Sequence, residues 1–158
     1  MIALFHEDIV LGEVTPLGSY TFTRESMLAF ARAYDPQPFH LDDAAAEASH
    51  FGKLSASGWH TAAAWMKRYI ATLQAALGAL SPEDYAQAHA RASPGFVNLR
   101  WPRPVYVDDT VTYTMRATAK RDLASRPTLG FAEFTSEGLN QAGEVVYSFE
   151  GKVFMPKR

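Results

Sequence analysis

Twenty residues from Gly58 to Leu77, GWHTAAAWMKRYIATLQAAL, run without proline. Within them Ala62, Ala63, Trp65, Met66, Tyr69, Ile70, Leu73 and Leu77 recur at helical spacing, which predicts a helix of about five turns. An apolar face this wide belongs to a helix that is largely buried, so the rest of the chain must cover it. After Gly95 the pattern changes to period two. GFVNLRWP reads as a strand ended by Pro102. In DTVTYTMRATAKR, Val111, Tyr113, Met115, Ala117 and Ala119 fall on one face, with Thr112, Thr114, Arg116 and Thr118 on the other. TLGFAEFTSEGLN and EVVYSFEGKVFM are joined by NQAG, a hairpin turn signal. The expected class is α+β, a curved antiparallel sheet around a buried helix.

The first half is mostly helical. SYTFT (Ser19 to Thr23) alternates as a strand, and Thr23 can cap the helix RESMLAFARAYD, where Met27, Leu28, Phe30 and Ala31 share a face. Pro36 stops that helix, because proline keeps the residue before it out of helical geometry. DDAAAEASH predicts a short helix capped by Asp42 and ended by His50, where positive charge suits the dipole. GALSPEDYAQAHARASPG, residues 78–95, reads as a loop carrying a short helix from about Pro82 to Arg91. It is not a linker, since neither side is large enough for its own core, so one domain over 1–158 is expected.

Fifteen basic against seventeen acidic residues leave a formal charge of −2, which gives no field for nucleic acid. The absence of cysteine excludes disulfides, thiolate metal sites and a cysteine nucleophile. The opening MIALFHEDIVLGE lacks a signal-peptide pattern, and no apolar run approaches the roughly 18 residues of a membrane span. A cytoplasmic protein with no membrane partner is expected.

In YDPQPFHLDD, Asp35 and His40 stand five positions apart with Pro36 and Pro38 between them. On a helix such a pair points apart, but the prolines forbid the helix and fix their own φ angles. A turn of this kind can aim both side chains at one cavity, and a carboxylate with an imidazole suits acid–base work near neutral pH. The plainer reading is an Asp-Pro surface turn holding a solvated histidine. Downstream, SASGWHT brings small residues to the start of the long helix, whose first amides have no partner within it. Ser57 reads as an N-cap, and the amides near Gly58 can hold a carbonyl oxygen that gains negative charge.

His40, His50 and His60 recur every ten residues near Asp42, Asp43 and Glu47, but no short-spaced ligand pair is present and no metal is expected. His60, in the first helical turn, is expected neutral, as packing or as a pocket wall. Lys120, Arg121 and Arg126 surround a turn that is either solvated or holds a phosphate. No glycine-rich phosphate loop, GxGxxG or GxSxG elbow occurs, which counts against nucleotide enzymes and α/β-hydrolases.

FARAYDPQPFHLDDAAAEASHFGKLSASGWHTAAAWM resembles the signature region of MaoC-like dehydratases, which include the R-specific enoyl-CoA hydratases. The likeness extends to RWPRPVYVDDTV and LNQAGEVVYSFEGKVFM, with residues 78–95 least matched. The resemblance implies a hotdog fold, a long helix wrapped by an antiparallel sheet, in a homodimer or higher homo-oligomer. It also implies a lyase of fatty acid metabolism that reversibly adds water to a 2-enoyl-CoA to give an R-3-hydroxyacyl-CoA, with no cofactor. Asp35 and His40 would activate the water, and the segment at Ser57 and Gly58 would hold the thioester oxygen. Tyr34, Phe39, Trp59 and His60 are candidates for an acyl pocket, and Lys120, Arg121 and Arg126 for the CoA phosphates. The chain has Tyr34 and Gln37 where the family commonly has glycine and asparagine, and Ser57 where many members have histidine. Two rivals remain: a hotdog acyl-CoA thioesterase and a non-catalytic acyl-thioester-binding domain.

Overall fold

From its start the chain forms β1 (Val14–Thr21), α1 (Arg24–Tyr34), a 3-10 turn at Pro38–His40, α2 (Asp43–Glu47) and α3 (Gly58–Leu77). There follow α4 (Pro82–Ala88), β2 (Ala92–Arg100), β3 (Thr110–Asp122), β4 (Leu129–Leu139) and β5 (Val145–Pro156). The computed structural model describes residues 1–88 and 91–158. The strands make one five-stranded sheet in the order β1-β3-β4-β5-β2, with every neighbouring pair antiparallel.

The sheet curls around α3, as the pattern of apolar residues predicts. Leu17, Val111, Tyr113, Val146 and Phe149 pack with Trp65 in one core cluster, and each such side chain contributes roughly 1.5–3 kcal/mol by leaving water. Two polar groups carried into this core are paired: Trp65 Nε1 donates to Ser136 Oγ at 3.1 Å, and the Tyr113 hydroxyl donates to the Thr61 carbonyl at 3.0 Å. The caps fall where expected. Thr23 accepts from the Ser26 amide, and Asp42 from the Ala45 amide. The NQAG turn closes β4 onto β5 with Gly143 at φ +78°.

Several boundaries differ from expectation. β1 begins at Val14 and includes Pro16. It tolerates that proline because β1 is an edge strand with no ladder partner on one side. The register shifts between Pro16 and Gly18, and Gly18 takes φ +92° with Arg68 packed where a side chain would begin. α2 ends at Glu47, so His50 does not sit on a helix end; Ser49 Oγ turns back to the Ala46 carbonyl and accepts from the Phe51 amide. The helix expected from Pro82 to Arg91 is seen over Pro82–Ala88, while residues 89 and 90 lie outside the described residues. β2 already begins at Ala92, which pairs with Phe154, and Arg91 just before it donates to the Ala3 and Leu4 carbonyls.

The long helix is also less covered than its sequence predicts. Its buried residues are His60, Thr61, Ala64, Trp65 and Leu77, while Met66 and Ile70 are 49% and 38% exposed. The sheet wraps only one side of α3, and Trp59 and Phe96 line one apolar groove with Met66 there. On β3 the alternation holds through Val111 and Tyr113 and is lost past the bulge between Ala117 and Ala119. Among the described residues no helix is long and apolar enough to cross a membrane.

Candidate active site

Asp35 is the C-cap of α1, held outside helical geometry at φ −149° and ψ 68°. Pro36 follows it and prevents another helical turn. The amide of Gln37 folds back onto the Asp35 carbonyl at 2.8 Å, and Pro38 opens the 3-10 turn that ends at His40. Five positions of chain are thereby bent into one tight loop. His40 Nε2 comes to 3.5 Å from Asp35 Oδ2.

Each member of the pair is fixed from behind. His40 is buried, and its Nδ1 lies 2.8 Å from the Ser55 carbonyl. A carbonyl can only accept, so Nδ1 carries the proton and Nε2 of the neutral ring is an acceptor. Asp35 Oδ2 accepts from the Ser57 hydroxyl at 2.6 Å, and Oδ1 accepts from Gln37 Nε2 at 2.8 Å. Burial opposes ionisation of Asp35, but the hydrogen bonds from Ser57 and Gln37 and the nearby His40 outweigh it. The carboxyl is therefore held below its ordinary range and is ionised at neutral pH. Gln37, the departure from the family's asparagine, thus reaches the carboxylate it flanks.

The start of α3 supplies the second half of the site. Ser57 Oγ accepts from the Trp59 amide, and the Ser57 carbonyl accepts from His60 and Thr61. The Gly58 N–H has no acceptor among the described residues. Glycine is required there because the Trp101 ring lies 2.8 Å from where a Cβ would stand. Gly58 and His40 line one cavity of about 430 Å³, together with Ala56, Thr61, Val105 and Val146. His50, Pro102 and Arg103 are exposed and form its mouth. A bridge between Ser55 and Tyr106 holds the 101–109 loop against this wall.

The family model for the MaoC like domain matches residues 11–131. A MaoC-like dehydratase from Rhodospirillum rubrum is 35% identical, with 99% of each chain covered and a TM-score of 0.82. This chain belongs to the MaoC-like dehydratase family. An (R)-hydratase from A. caviae involved in PHA biosynthesis is 25% identical over 94% of this chain and 98% of its own, with a TM-score of 0.63. The unliganded R-hydratase PhaJ1 from Pseudomonas aeruginosa has the same fold at 20% identity, covering 98% of this chain and 87% of its own, with a TM-score of 0.65. No curated protein matches the chain significantly. The architecture is the hotdog fold of these dehydratases.

Of the residues expected in this MaoC-like site, Asp35, His40, Ser57 and Gly58 do come together. Ser57 is the N-cap it was expected to be, and its side chain has a further part. Its single O–H donates to Asp35, so it positions the carboxylate and is not free to bind a thioester oxygen. The expected acyl-pocket residues separate. Phe39 stands behind the cavity wall, edge-on to His40 and tilted against Phe51. Tyr34 is 76% exposed and packs on Phe30, away from the cavity lining. Trp59 is exposed too and meets Trp101 edge to face. His60 is not a pocket wall: it is stacked on Phe30 with Phe22 edge-on, and burial lowers its pKa to about 4.

Lys120, Arg121 and Arg126 are also misplaced for this cavity. They lie at the far end of β3 from the 101–109 loop, on the order of 30 Å away at strand rise. Lys120 donates to the Ile9 carbonyl at 2.8 Å, while Arg121 and Arg126 lie over Phe131 and Phe154. Sequence reasoning missed Thr61, Trp101, Arg103 and Val105 as lining. The signal was the proline-flanked RWPRPV segment, whose meeting with SASGW is a long-range contact that no local pattern encodes. Among the described residues no three histidine, aspartate or glutamate side chains group as metal ligands.

Proposed function

We propose that the protein reversibly hydrates a trans-2-enoyl-CoA to a 3-hydroxyacyl-CoA. The observation carrying this reading is the placement of His40 and the unpartnered Gly58 amide on one cavity, with ionised Asp35 at 3.5 Å from the His40 acceptor nitrogen. Water bound between Asp35 Oδ2 and His40 Nε2 gives a proton to Nε2 as its oxygen bonds to C3. The Asp35 charge stabilises the imidazolium, and the C2–C3 π pair moves toward the thioester carbonyl. The Gly58 N–H meets the oxygen as it becomes an enolate, an interaction stronger in the transition state than in the ground state. Nε2 then returns the proton to C2. The net change is one water added, and the reverse sequence dehydrates.

The exposed apolar residues Trp59, Met66 and Phe96, which share one groove, support the same protein working as a homodimer or larger homo-oligomer. Sedimentation of wild type against Met66→Glu tests this, with dissociation expected in the variant and an unshifted monomer in both overturning it.

The test of the reaction follows conjugated enoyl absorbance and free thiol together on a crotonyl-type CoA thioester. Hydration predicts loss of absorbance with no thiol released. Thiol release at the same rate would assign a thioesterase, and binding without turnover a non-catalytic domain.

A further inference from the structure

We propose that Arg103, at the mouth of this cavity, anchors a phosphate ester on the thiol half of the substrate. The proposal rests on the hydration reading. If the thioester carbonyl lies against Gly58 and His40, its thiol arm must leave through the exposed side. The inner walls are closed by Ala56, Thr61, Val105 and Val146, and the open side carries His50, Pro102 and Arg103. CoA and phosphopantetheine carriers hold the acyl group on a pantetheine arm that ends in a phosphate ester, so an anion lies outside the cavity on the side where the arm emerges.

The local chemistry suits that anion. Arg103 lies between Pro102 and Pro104, whose rings fix their own φ angles and stiffen the loop. A guanidinium offers forked donors that match phosphate oxygens, which an ammonium does not. Lys53, two residues beyond the lining residue Phe51, holds its ammonium 4.0 Å over the Tyr106 ring and adds positive potential. The acid paired with Arg103 is Glu144, at 3.1 Å, and both side chains are about half exposed. An exposed pair of this kind is worth little, so a phosphate can displace the carboxylate. The cations at the far end of β3 are both distant and engaged with backbone carbonyls and rings.

The test compares one acyl group on CoA, on 4′-phosphopantetheine and on pantetheine. With Arg103→Ala, KM is expected to rise about tenfold for phosphate-bearing thioesters, with kcat and the pantetheine kcat/KM within about twofold of wild type. Arg103→Lys should recover part of the loss, and Glu144→Gln should lower KM for the CoA thioester about twofold. A loss for CoA alone assigns the bound phosphate to the nucleotide, and a loss for both carriers assigns it to the pantetheine ester. Equal losses on all three thioesters, or none on any, would overturn the proposal. If wild type turns over no thioester, the hydration reading fails by itself, and calorimetric titration with free CoA still decides this one. Binding about tenfold weaker in Arg103→Ala supports the anchor; equal binding, or none to wild type, contradicts it.

Discussion

Two histidine–aspartate pairs stand at opposite ends of the sheet. His40 and Asp35 are 3.5 Å apart, and His6 and Asp122 are 3.7 Å apart. Both histidines are buried, so distance and burial do not separate them. Their surroundings do. His40 has its second nitrogen satisfied by the Ser55 carbonyl, and its carboxylate partner is largely buried and held by Ser57 and Gln37. His6 leaves Nε2 buried without a partner, and its ring fills the space over Gly130. Asp122 is 72% exposed and paired to Lys157 at 2.8 Å. The cavity under the N-terminal segment and the one beside Arg126 and Phe154 are lined by neither His6 nor Asp122, whereas His40 lines a cavity of about 430 Å³. A paired imidazole becomes a site when its tautomer is set, its carboxylate is ionised and a cavity reaches it.

The comparison predicts its largest effect in the pairs themselves. His40→Ala or Asp35→Asn should lower kcat on an enoyl thioester by about 10²–10⁴. His6→Ala and Asp122→Asn should leave kcat within about twofold, once circular dichroism confirms that each variant is folded. Equal losses at the two ends would erase the distinction drawn between them.

Ser57→Ala should act less strongly and on two measurements. Loss of the cap to Trp59 is expected to cost about 1 kcal/mol in denaturant unfolding. Loss of the hydrogen bond to Asp35 should slow turnover about tenfold by loosening the carboxylate. Because that bond lowers the Asp35 pKa, its removal raises it, and the acid limb of the pH–rate profile should move to higher pH. An unmoved limb would separate Ser57 from the ionisation of Asp35.

The effect smallest on turnover, read in stability alone, sharpens the contrast between a site histidine and a core one. Burial lowers the His60 pKa to about 4. Between pH 6.5 and about 4 the unfolded chain therefore binds a proton that the folded one refuses. The stability tied to neutral His60 is complete above pH 6.5 and falls with pH through that window, by up to about 1.4 kcal/mol per unit. His60→Phe, which preserves the stack on Phe30, should remove that slope from the unfolding free energy. Equal slopes in both proteins would contradict the burial account.

Much of this was legible in the sequence, for identifiable reasons. The α3 span was readable because twenty proline-free residues repeat at one period, and its caps were readable because Thr23, Asp42 and Ser57 are local signals. The dyad was legible because two prolines confine a five-residue separation. The second role of Ser57 was not, since its partner lies 22 residues away across a fold-dependent contact. The same holds for Arg103, whose loop is tied to the cavity wall by the bridge between Ser55 and Tyr106 and by the Tyr106 hydroxyl on the Phe51 carbonyl. The cations at Lys120, Arg121 and Arg126 misled because a charged turn carries no information about which end of a strand it occupies. The exposed side of α3 was hidden for another reason: an apolar face reads alike whether its own sheet covers it or not.

The most direct test of the central claim is the rate of loss of conjugated enoyl absorbance on a short enoyl-CoA, measured for wild type and His40→Ala with matched circular dichroism. Hydration by the Asp35–His40 pair predicts turnover by wild type and a fall of at least about 100-fold in the variant. Equal rates in the two proteins, or no turnover by wild type on any enoyl thioester, would contradict it.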